Sequence, residues 1–124
     1  SFKYDCVNIN YANAEKQYAL GQPDTAMIYV ALTDWPEPYE IRTNPRNRQL
    51  FDVNDSHIIA YGGMYVGHSV KNWTEFDVEF KYRATNRKPR YILIVCSASK
   101  YGDFFTGGDG STMYVDEFSL KWDY

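Results

Sequence analysis

The sequence lacks the features of several common functional classes. Only two of its 124 residues are cysteines, with no CxxC spacing and no companion group of histidines, which argues against a zinc site. The net charge is −3 and no block of like charge occurs, so we exclude nucleic acid as a partner. No apolar run approaches the roughly 20 residues of a membrane-spanning helix, so we do not expect the chain to span a membrane.

The cysteines and the start of the chain each support a limited expectation. Cys6 and Cys96 could pair, because the first strand and a late strand of a β-sandwich often lie side by side, but two free thiols are equally common. The chain starts at Ser1 without an initiating methionine or a signal peptide. We therefore expect one domain, residues 1–124, cut from a longer or processed precursor.

Aromatic residues, by contrast, are abundant. They make up 18% of the chain, and 12 of them are tyrosines. Tyrosine fits the half-buried surface of a pleated sheet and is well suited to ligand contact, so its excess favours an all-β domain with a binding face. A length of 124 residues is enough to close one core between two sheets, and we expect a monomer.

Two kinds of apolar pattern indicate the strands: apolar residues that alternate with charged ones, and segments that are apolar on both faces. Between residues 74 and 82, apolar or aromatic residues alternate with charged ones, which predicts a strand with one solvent-facing side. Segments 25–33 and 91–97 are apolar at both parities, and we interpret both as central strands covered on both faces. Segment 11–20 can form at most one or two helical turns. Further strands are predicted at 2–9, 39–43, 49–53, 57–61 and 113–122, the last with a bulge near Asp116 and Glu117.

The predicted architecture is an antiparallel β-sandwich of the jelly-roll type. Turns rich in Gly, Pro and Asn separate many short strands, which is typical of this class. The residues predicted to form the core are Phe76, Val78, Phe80, Ile92, Ile94, Val115, Phe118 and Leu120.

The second half of the sequence carries a longer pattern. A buried strand ending in Cys96-Ser97-Ala98-Ser99 is followed by Tyr101-Gly102-Asp103-Phe104-Phe105, by the Gly-rich turn Thr106–Ser111 and by the strand Tyr114–Phe118. From Arg90 onward this order resembles the putative carbohydrate metabolism domain (PCMD), found at the C-terminus of exported proteins of gut anaerobic bacteria. The resemblance implies a jelly roll like those of carbohydrate-binding modules. It also implies that the domain is the C-terminal part of a larger exported protein, located outside the cell or at the cell surface.

Trp35 and Tyr39 are the first candidate binding residues. They flank Pro36-Glu37-Pro38, and a rigid loop could present their rings for stacking against the apolar faces of a sugar. Asn44 and Arg46 in the following turn could hydrogen-bond sugar hydroxyls. The alternative is that Trp35 closes the end of the core, that Tyr39 starts the next strand and that the turn is only solvated.

Two glycine-rich segments supply further candidates. Tyr65, in the predicted loop 62–68, could extend the aromatic platform, although a hairpin tip is the commoner reason for such glycines. Asp103, Asp109 and Asp116 lie around the second Gly-rich turn and could hold a structural calcium ion, since calcium takes closely spaced oxygen ligands. Alternatively, these carboxylates accept backbone N–H bonds in the turn, and no cofactor is required.

The sequence favours binding over catalysis. A glycosidase needs two carboxylates across a cleft, one of them with a raised pKa, and the 16 acidic residues form no such motif. Neither His57 nor His68 has a partner at a catalytic spacing. We therefore expect a non-catalytic module that binds an oligosaccharide or polysaccharide. A structural spacer of a surface protein is the first alternative, and a catalytic domain is the less favoured one.

Overall fold

The computed structural model describes residues 1–121 as two antiparallel β-sheets with almost no helix. The strands are β1 (Phe2–Asp5), β2 (Ala26–Thr33), β3 (Ile58–Val66), β4 (Val70–Thr74), β5 (Lys81–Tyr82), β6 (Tyr91–Ser97) and β7 (Thr112–Val115). One sheet has the order β4-β1-β7 and the other the order β5-β3-β2-β6. The expected all-β sandwich is confirmed.

β2 is a central strand, as its apolar pattern predicts. It pairs with β3 on one side and with β6 on the other over nearly its whole length. Its Ile28 and Val30 side chains are buried on the face that looks toward the three-stranded sheet. The opposite face is covered by the long segment 34–57, in which Phe51 stacks on Tyr29 with ring centroids 5.0 Å apart. Burial on both faces explains why neither parity of this strand is polar.

β6 has the predicted extent but a different position in the sheet. Among the described residues it pairs with β2 alone and lies at the sheet edge, so the prediction of a second central strand is wrong. The strands of the opposite sheet are only four or five residues long, and they leave the inner side of β6 uncovered. A groove of about 440 Å³ therefore opens between the two sheets.

Most residues predicted as the core line this groove instead of filling the interior. Phe76, Val78 and Phe80 are half-buried, and the other five, Ile92, Ile94, Val115, Phe118 and Leu120, are exposed. All except Val115 line the groove. Periodicity identified the apolar side of each segment, but it could not show that the sheets stay apart here. The observed core comprises Phe2, Tyr4, Ile9, Ala19, Ala26, Ile28, Val30, Ala31, Leu32, Trp35, Ile58, Ile59, Ala60 and Val66.

The segment between β4 and β5 does not form the strand predicted at 74–82. Residues 75–80 are irregular, and only Lys81–Tyr82 pair with β3. The segment passes very close to β3, because a Cβ built on Gly62 would lie 2.2 Å from the Glu79 carbonyl oxygen. Glycine at this position therefore permits a close approach between two backbone segments. The loop predicted at 62–68 is in large part the end of β3.

The strands predicted inside segment 34–57 are also absent. Residues 39–43 and 49–53 form no strand, and a single bridge joins Arg42 to Gln49. The segment is instead a long loop that folds back over the sheet.

Near the end of the chain, β7 stops at Val115, where the sequence predicted only a bulge. Glu117 adopts a left-handed backbone conformation with φ of 56°, which interrupts regular pairing. Trp122, in the last part of the predicted strand, lies outside the described residues.

Two smaller expectations, for the helical turns and for the cysteines, are resolved as well. The 3-10 helix Ala14–Ala19 agrees with the one or two turns allowed for segment 11–20. Cys6 and Cys96 are both free thiols, and the Cys6 thiol donates a hydrogen bond to the Asp24 carbonyl at 3.3 Å. Across residues 1–121 no helix is long and apolar enough to cross a membrane.

Candidate functional site

The aromatic pair predicted to stack on sugar does not form an open platform. Trp35 is only 8% exposed, and its ring stacks on Tyr39 with centroids 4.4 Å apart and an interplanar angle of 20°. The Tyr39 hydroxyl donates a hydrogen bond to the Leu50 carbonyl at 2.7 Å. The expectation of an exposed Trp35 ring is therefore wrong, because the pair anchors segment 34–57 by packing.

An ion-pair cluster beside this pair reinforces the anchoring. The Arg87 guanidinium donates two hydrogen bonds to the Asp34 carboxylate, at 2.9 and 2.8 Å, and the His57 ring nitrogen lies 3.1 Å from the same carboxylate. The bonds from Arg87, followed by the contact with His57, lower the pKa of Asp34. These contacts hold both ends of segment 34–57 against the loop that precedes β6.

Asn44 and Arg46 occupy an exposed turn of the same segment. The Asn44 side-chain oxygen accepts a hydrogen bond from the Arg46 backbone N–H at 3.0 Å, and the Asn44 carbonyl accepts one from Asn47 at 3.1 Å. The Asn44 side chain thus stabilises its own turn. Tyr65 lies on a separate element, β3, where its ring is exposed.

The three aspartates considered for calcium are not gathered into a metal-binding group. No set of three or more His, Cys, Asp or Glu side chains within residues 1–121 is arranged to hold an ion. The Asp116 carboxylate accepts a bond from the Glu117 backbone N–H at 2.8 Å. The Asp103 carbonyl accepts a hydrogen bond from the Arg48 guanidinium, and Asp109 is exposed. The calcium interpretation therefore has no geometric support.

A different set of aromatic side chains meets at one end of the sandwich, where β1 and β6 finish. Loop 6–25 contributes Tyr18, and loop 98–111 contributes Tyr101 and Phe104. The Tyr18 and Tyr101 rings meet edge to face, with centroids 6.5 Å apart and planes at 80°. We call this group, with the two lysines beside it, the loop cluster: Lys16, Tyr18, Lys100, Tyr101 and Phe104.

The two lysines lie over the aromatic rings of the loop cluster. The Lys16 ammonium is 4.7 Å from the Phe104 centroid and 5.0 Å from that of Tyr101, and the Lys100 ammonium is 4.9 Å from Tyr101. Such cation–π contacts hold the two loops together. Interaction with the Tyr18 side chain, followed by a bond to Lys100 and the charges of Lys100 and Lys16, lowers the pKa of Tyr101.

A cavity of about 190 Å³ opens beside the loop cluster. Tyr18 and Tyr101 form aromatic parts of its wall, and Gln22, Thr25 and Lys100 contribute polar groups. Within the described residues, no hydrogen bond joins the Gln22 amide or the Thr25 hydroxyl to another protein group, and Gln22 is exposed while Thr25 is half-buried. Both groups are therefore available to a ligand, beside a ring that is 67% exposed at Tyr18.

Asp24 holds the two loops of this cavity together from below. Its side chain is fully buried and accepts three hydrogen bonds, from the Thr25 backbone N–H at 2.8 Å, the Ser99 hydroxyl at 2.9 Å and the Gly108 backbone N–H at 2.8 Å. A Cβ on Gly108 would lie 2.5 Å from the Val7 carbonyl oxygen, so only glycine allows this approach. The Gly-rich turn is thus a structural support of the cavity.

Phe105 shows that loop 98–111 is held in an unfavourable backbone conformation. Its φ of 51° and ψ of 41° are left-handed, which costs a non-glycine residue about 1–2 kcal/mol. The side chain is exposed, so its own burial does not offset that cost. The next residue, Thr106, is buried and fixed by bonds with the Asn13 N–H and the Phe104 carbonyl. Strain of this kind concentrates at functional sites.

Sequence reasoning did not identify the loop cluster. Tyr18 was assigned to a short helical stretch, and Tyr101 entered only as part of the family pattern. The available signal was the concentration of aromatic residues in two loop segments, since loops need few aromatic side chains for packing.

A comparison with known families assigns the chain to a family. The family model described as the putative carbohydrate metabolism domain matches residues 1–121. The chain belongs to the PCMD family. The match includes the first half of the chain, whereas the sequence pattern described above begins at Arg90. Both loops that build the cavity of this PCMD domain therefore lie within the matched residues. No curated protein and no solved structure shows a significant match to the chain.

Proposed function

We propose that this PCMD domain is a non-catalytic module that binds carbohydrate, and that the cavity beside the loop cluster takes one sugar unit. The observation that carries the proposal is the combination of two tyrosine rings with unengaged hydrogen-bonding groups around one cavity. Sugar rings have apolar C–H faces that pack on aromatic rings and hydroxyls that need polar partners. Tyr18 and Tyr101 match the first requirement, and Gln22, Thr25 and Lys100 match the second.

The dimensions of the cavity support a short ligand segment and weak affinity. Its volume of about 190 Å³ is smaller than the roughly 300–1,000 Å³ of a typical small-molecule site. It suits one monosaccharide unit, with neighbouring units lying over exposed loop surface. Aromatic contacts contribute on the order of 1 kcal/mol each beyond buried area, so we expect a dissociation constant in the micromolar to millimolar range.

The acidic groups around the cavity favour binding over hydrolysis. Among the residues that line it, Asp24 alone carries a carboxylate, and three hydrogen bonds already occupy that group. Glycoside hydrolysis by the usual route needs two carboxylates on opposite sides of the scissile bond. We further propose that the domain acts outside the cell or at its surface, and this part rests on the resemblance to exported proteins alone.

A glycan array followed by matched tyrosine variants tests the proposal. The wild-type chain is first screened against oligosaccharides, and the strongest ligand is then titrated against Tyr18→Ala and Tyr11→Ala. Both tyrosines are 67% exposed and come from the same loop, but only Tyr18 lines the cavity. We expect Tyr18→Ala to weaken binding at least about tenfold, while Tyr11→Ala binds like the wild type.

Two other outcomes decide against the proposal. Absence of any glycan ligand, with the chain folded as judged by circular dichroism, would favour the structural-spacer alternative. Release of shortened products from the ligand would favour a catalytic domain.

A further inference from the structure

The outer face of the three-stranded sheet carries a second aromatic group, separate from the loop cluster. Trp73 on β4, Lys3 on β1 and Tyr114 on β7 lie side by side across the three strands, and we call them the outer row. Lys3 is directly opposite Tyr114 in the strand register. Its ammonium lies 5.1 Å from the Trp73 centroid and 5.1 Å from the Tyr114 centroid.

The sheet geometry directs the outer row away from the core. Phe2 and Tyr4, the neighbours of Lys3 on β1, are buried between the sheets, so Lys3 lies on the opposite face. Phe2 and Tyr4 of β1 pair with Thr74 and Val70 of β4. The stretch of β4 between these partners is two residues longer than the matching stretch of β1, so β4, the strand that carries Trp73, contains a bulge. Bulges re-aim side chains at sheet surfaces.

The outer row is open to solvent. Segment 34–57 covers part of the outer face of the other sheet, where Phe51 stacks on Tyr29, whereas Trp73 is 51% and Tyr114 is 45% exposed. Neighbouring strands lie roughly 4.8 Å apart, so two rings separated by one strand present apolar surface about 10 Å apart. A ligand that runs perpendicular to the strands can contact both rings at once.

The charge on the outer row indicates what kind of ligand fits. Within residues 1–121 the Lys3 ammonium forms no ion pair with a carboxylate. A positive charge between two exposed rings is complementary to a molecule that has flat apolar faces and an anionic substituent. Sugar rings with a carboxylate group, as in a uronic acid, combine these two properties.

We propose that the outer row binds an acidic polysaccharide of the polyuronate type. Its sugar rings stack on Trp73 and Tyr114, and a carboxylate between them pairs with the Lys3 ammonium. Asp5 follows Lys3 by two residues on the same strand and face, and its exposed carboxylate opposes binding of an anion. The site is independent of the loop cavity and does not require the proposed sugar site there.

Polygalacturonate and its fully methyl-esterified form test the proposal, because they share a backbone and differ in charge. We expect the wild-type chain to bind polygalacturonate at low salt and to bind the ester at least several-fold more weakly. The difference should shrink in high salt, since salt screens exposed charges. Equal binding of the two polymers would overturn the assignment to acidic sugars, and equally strong binding of single-stranded DNA would overturn the assignment to carbohydrate.

Variants of the outer row localise the binding. Trp73→Ala and Tyr114→Ala should each weaken polygalacturonate binding about tenfold, whereas Tyr82→Ala, an exposed aromatic on the other sheet, should not. Lys3→Met should remove the preference for the acid over the ester, and Asp5→Asn should strengthen binding of the acid alone. Unchanged binding in the three row variants would overturn the proposal, and the Lys3 and Asp5 variants decide the point even if an aromatic variant fails to fold.

The two binding proposals can fail separately. Tyr18→Ala removes an aromatic wall of the loop cavity and leaves the outer row intact. Polygalacturonate binding that survives this change but not Trp73→Ala therefore belongs to the outer row. Binding lost through Tyr18→Ala alone would assign the acidic ligand to the loop cavity and contradict the outer-row proposal.

Discussion

Asp24→Asn is a nearly isosteric change at the buried carboxylate that joins the two loops of the cavity. One carboxylate oxygen accepts from the Thr25 N–H and the Ser99 hydroxyl, and an amide oxygen can keep both bonds. The other oxygen accepts from the Gly108 N–H at 2.8 Å, and the new amide N–H₂ would meet that donor with another donor. The substitution thus removes one bond and leaves the partly buried Gly108 N–H unsatisfied.

The expected loss of stability follows from these contacts. A hydrogen bond to a charged group contributes about 1.5–3 kcal/mol, and a buried donor without a partner costs about 1–3 kcal/mol. The two values describe in part the same lost contact, so they do not add in full. We therefore expect the free energy of unfolding to fall by about 2–4 kcal/mol. For a domain of this size, 1 kcal/mol corresponds to about 4 °C in melting temperature, so the shift should be about 8–16 °C.

Thermal melting by circular dichroism measures this shift, with Asp109→Asn as the control. Asp109 lies in the same Gly-rich turn, but its side chain is exposed, and surface changes of this kind usually stay within about 0.5 kcal/mol. If Asp24→Asn melted within about 2 °C of the control, the carboxylate would not hold the two loops together. The structural account of the cavity would then be refuted.

Three further changes test other parts of the fold. Trp35→Ala should lower the free energy of unfolding by about 3–5 kcal/mol in chemical denaturation, because the ring is buried, and a loss below 1 kcal/mol would contradict its packing role. Gly62→Ala should cost about 1–3 kcal/mol, since the new methyl meets the Glu79 carbonyl, and an unchanged denaturation midpoint would mean that segment 75–80 does not approach β3. Arg87 lowers the pKa of Asp34, so this carboxylate stabilises the fold above about pH 4 and loses that effect as the pH falls through its folded-state pKa. Asp34→Asn should therefore melt below the wild type at pH 7, with the gap closing under acid, and a gap independent of pH would refute the ion-pair account.

The sequence predicts those parts of the fold that depend on local side-chain pattern. β2 is central because both parities of 26–33 are apolar, and the sandwich class follows from many short strands between turn signals. The short 3-10 helix also lies within its predicted stretch. These features depend on neighbouring residues along the chain, which the sequence contains directly.

Features that depend on distant contacts could not be predicted in the same way. The composition of β6 resembles that of β2, yet β6 pairs with one neighbour only and lies at a sheet edge, and Ile92 and Ile94 on its inner side are exposed. Trp35 follows a core strand and adjoins two prolines, which fits an exposed platform equally well until segment 34–57 is seen to fold back over it. The loop cavity likewise depends on contacts, among them the bonds to Asp24, between two loops that are far apart in the sequence.

Mapping a bound oligosaccharide by NMR tests the central claim most directly. Backbone amide resonances of the 15N-labelled chain are recorded while the strongest ligand from the glycan array is added. We expect the largest shifts in residues 18–25 and at Lys100 and Tyr101, which include most of the residues that line the loop cavity. Shifts concentrated around Trp35 and Tyr39, or none in either loop at saturating ligand, would contradict the assignment of the sugar site to this cavity.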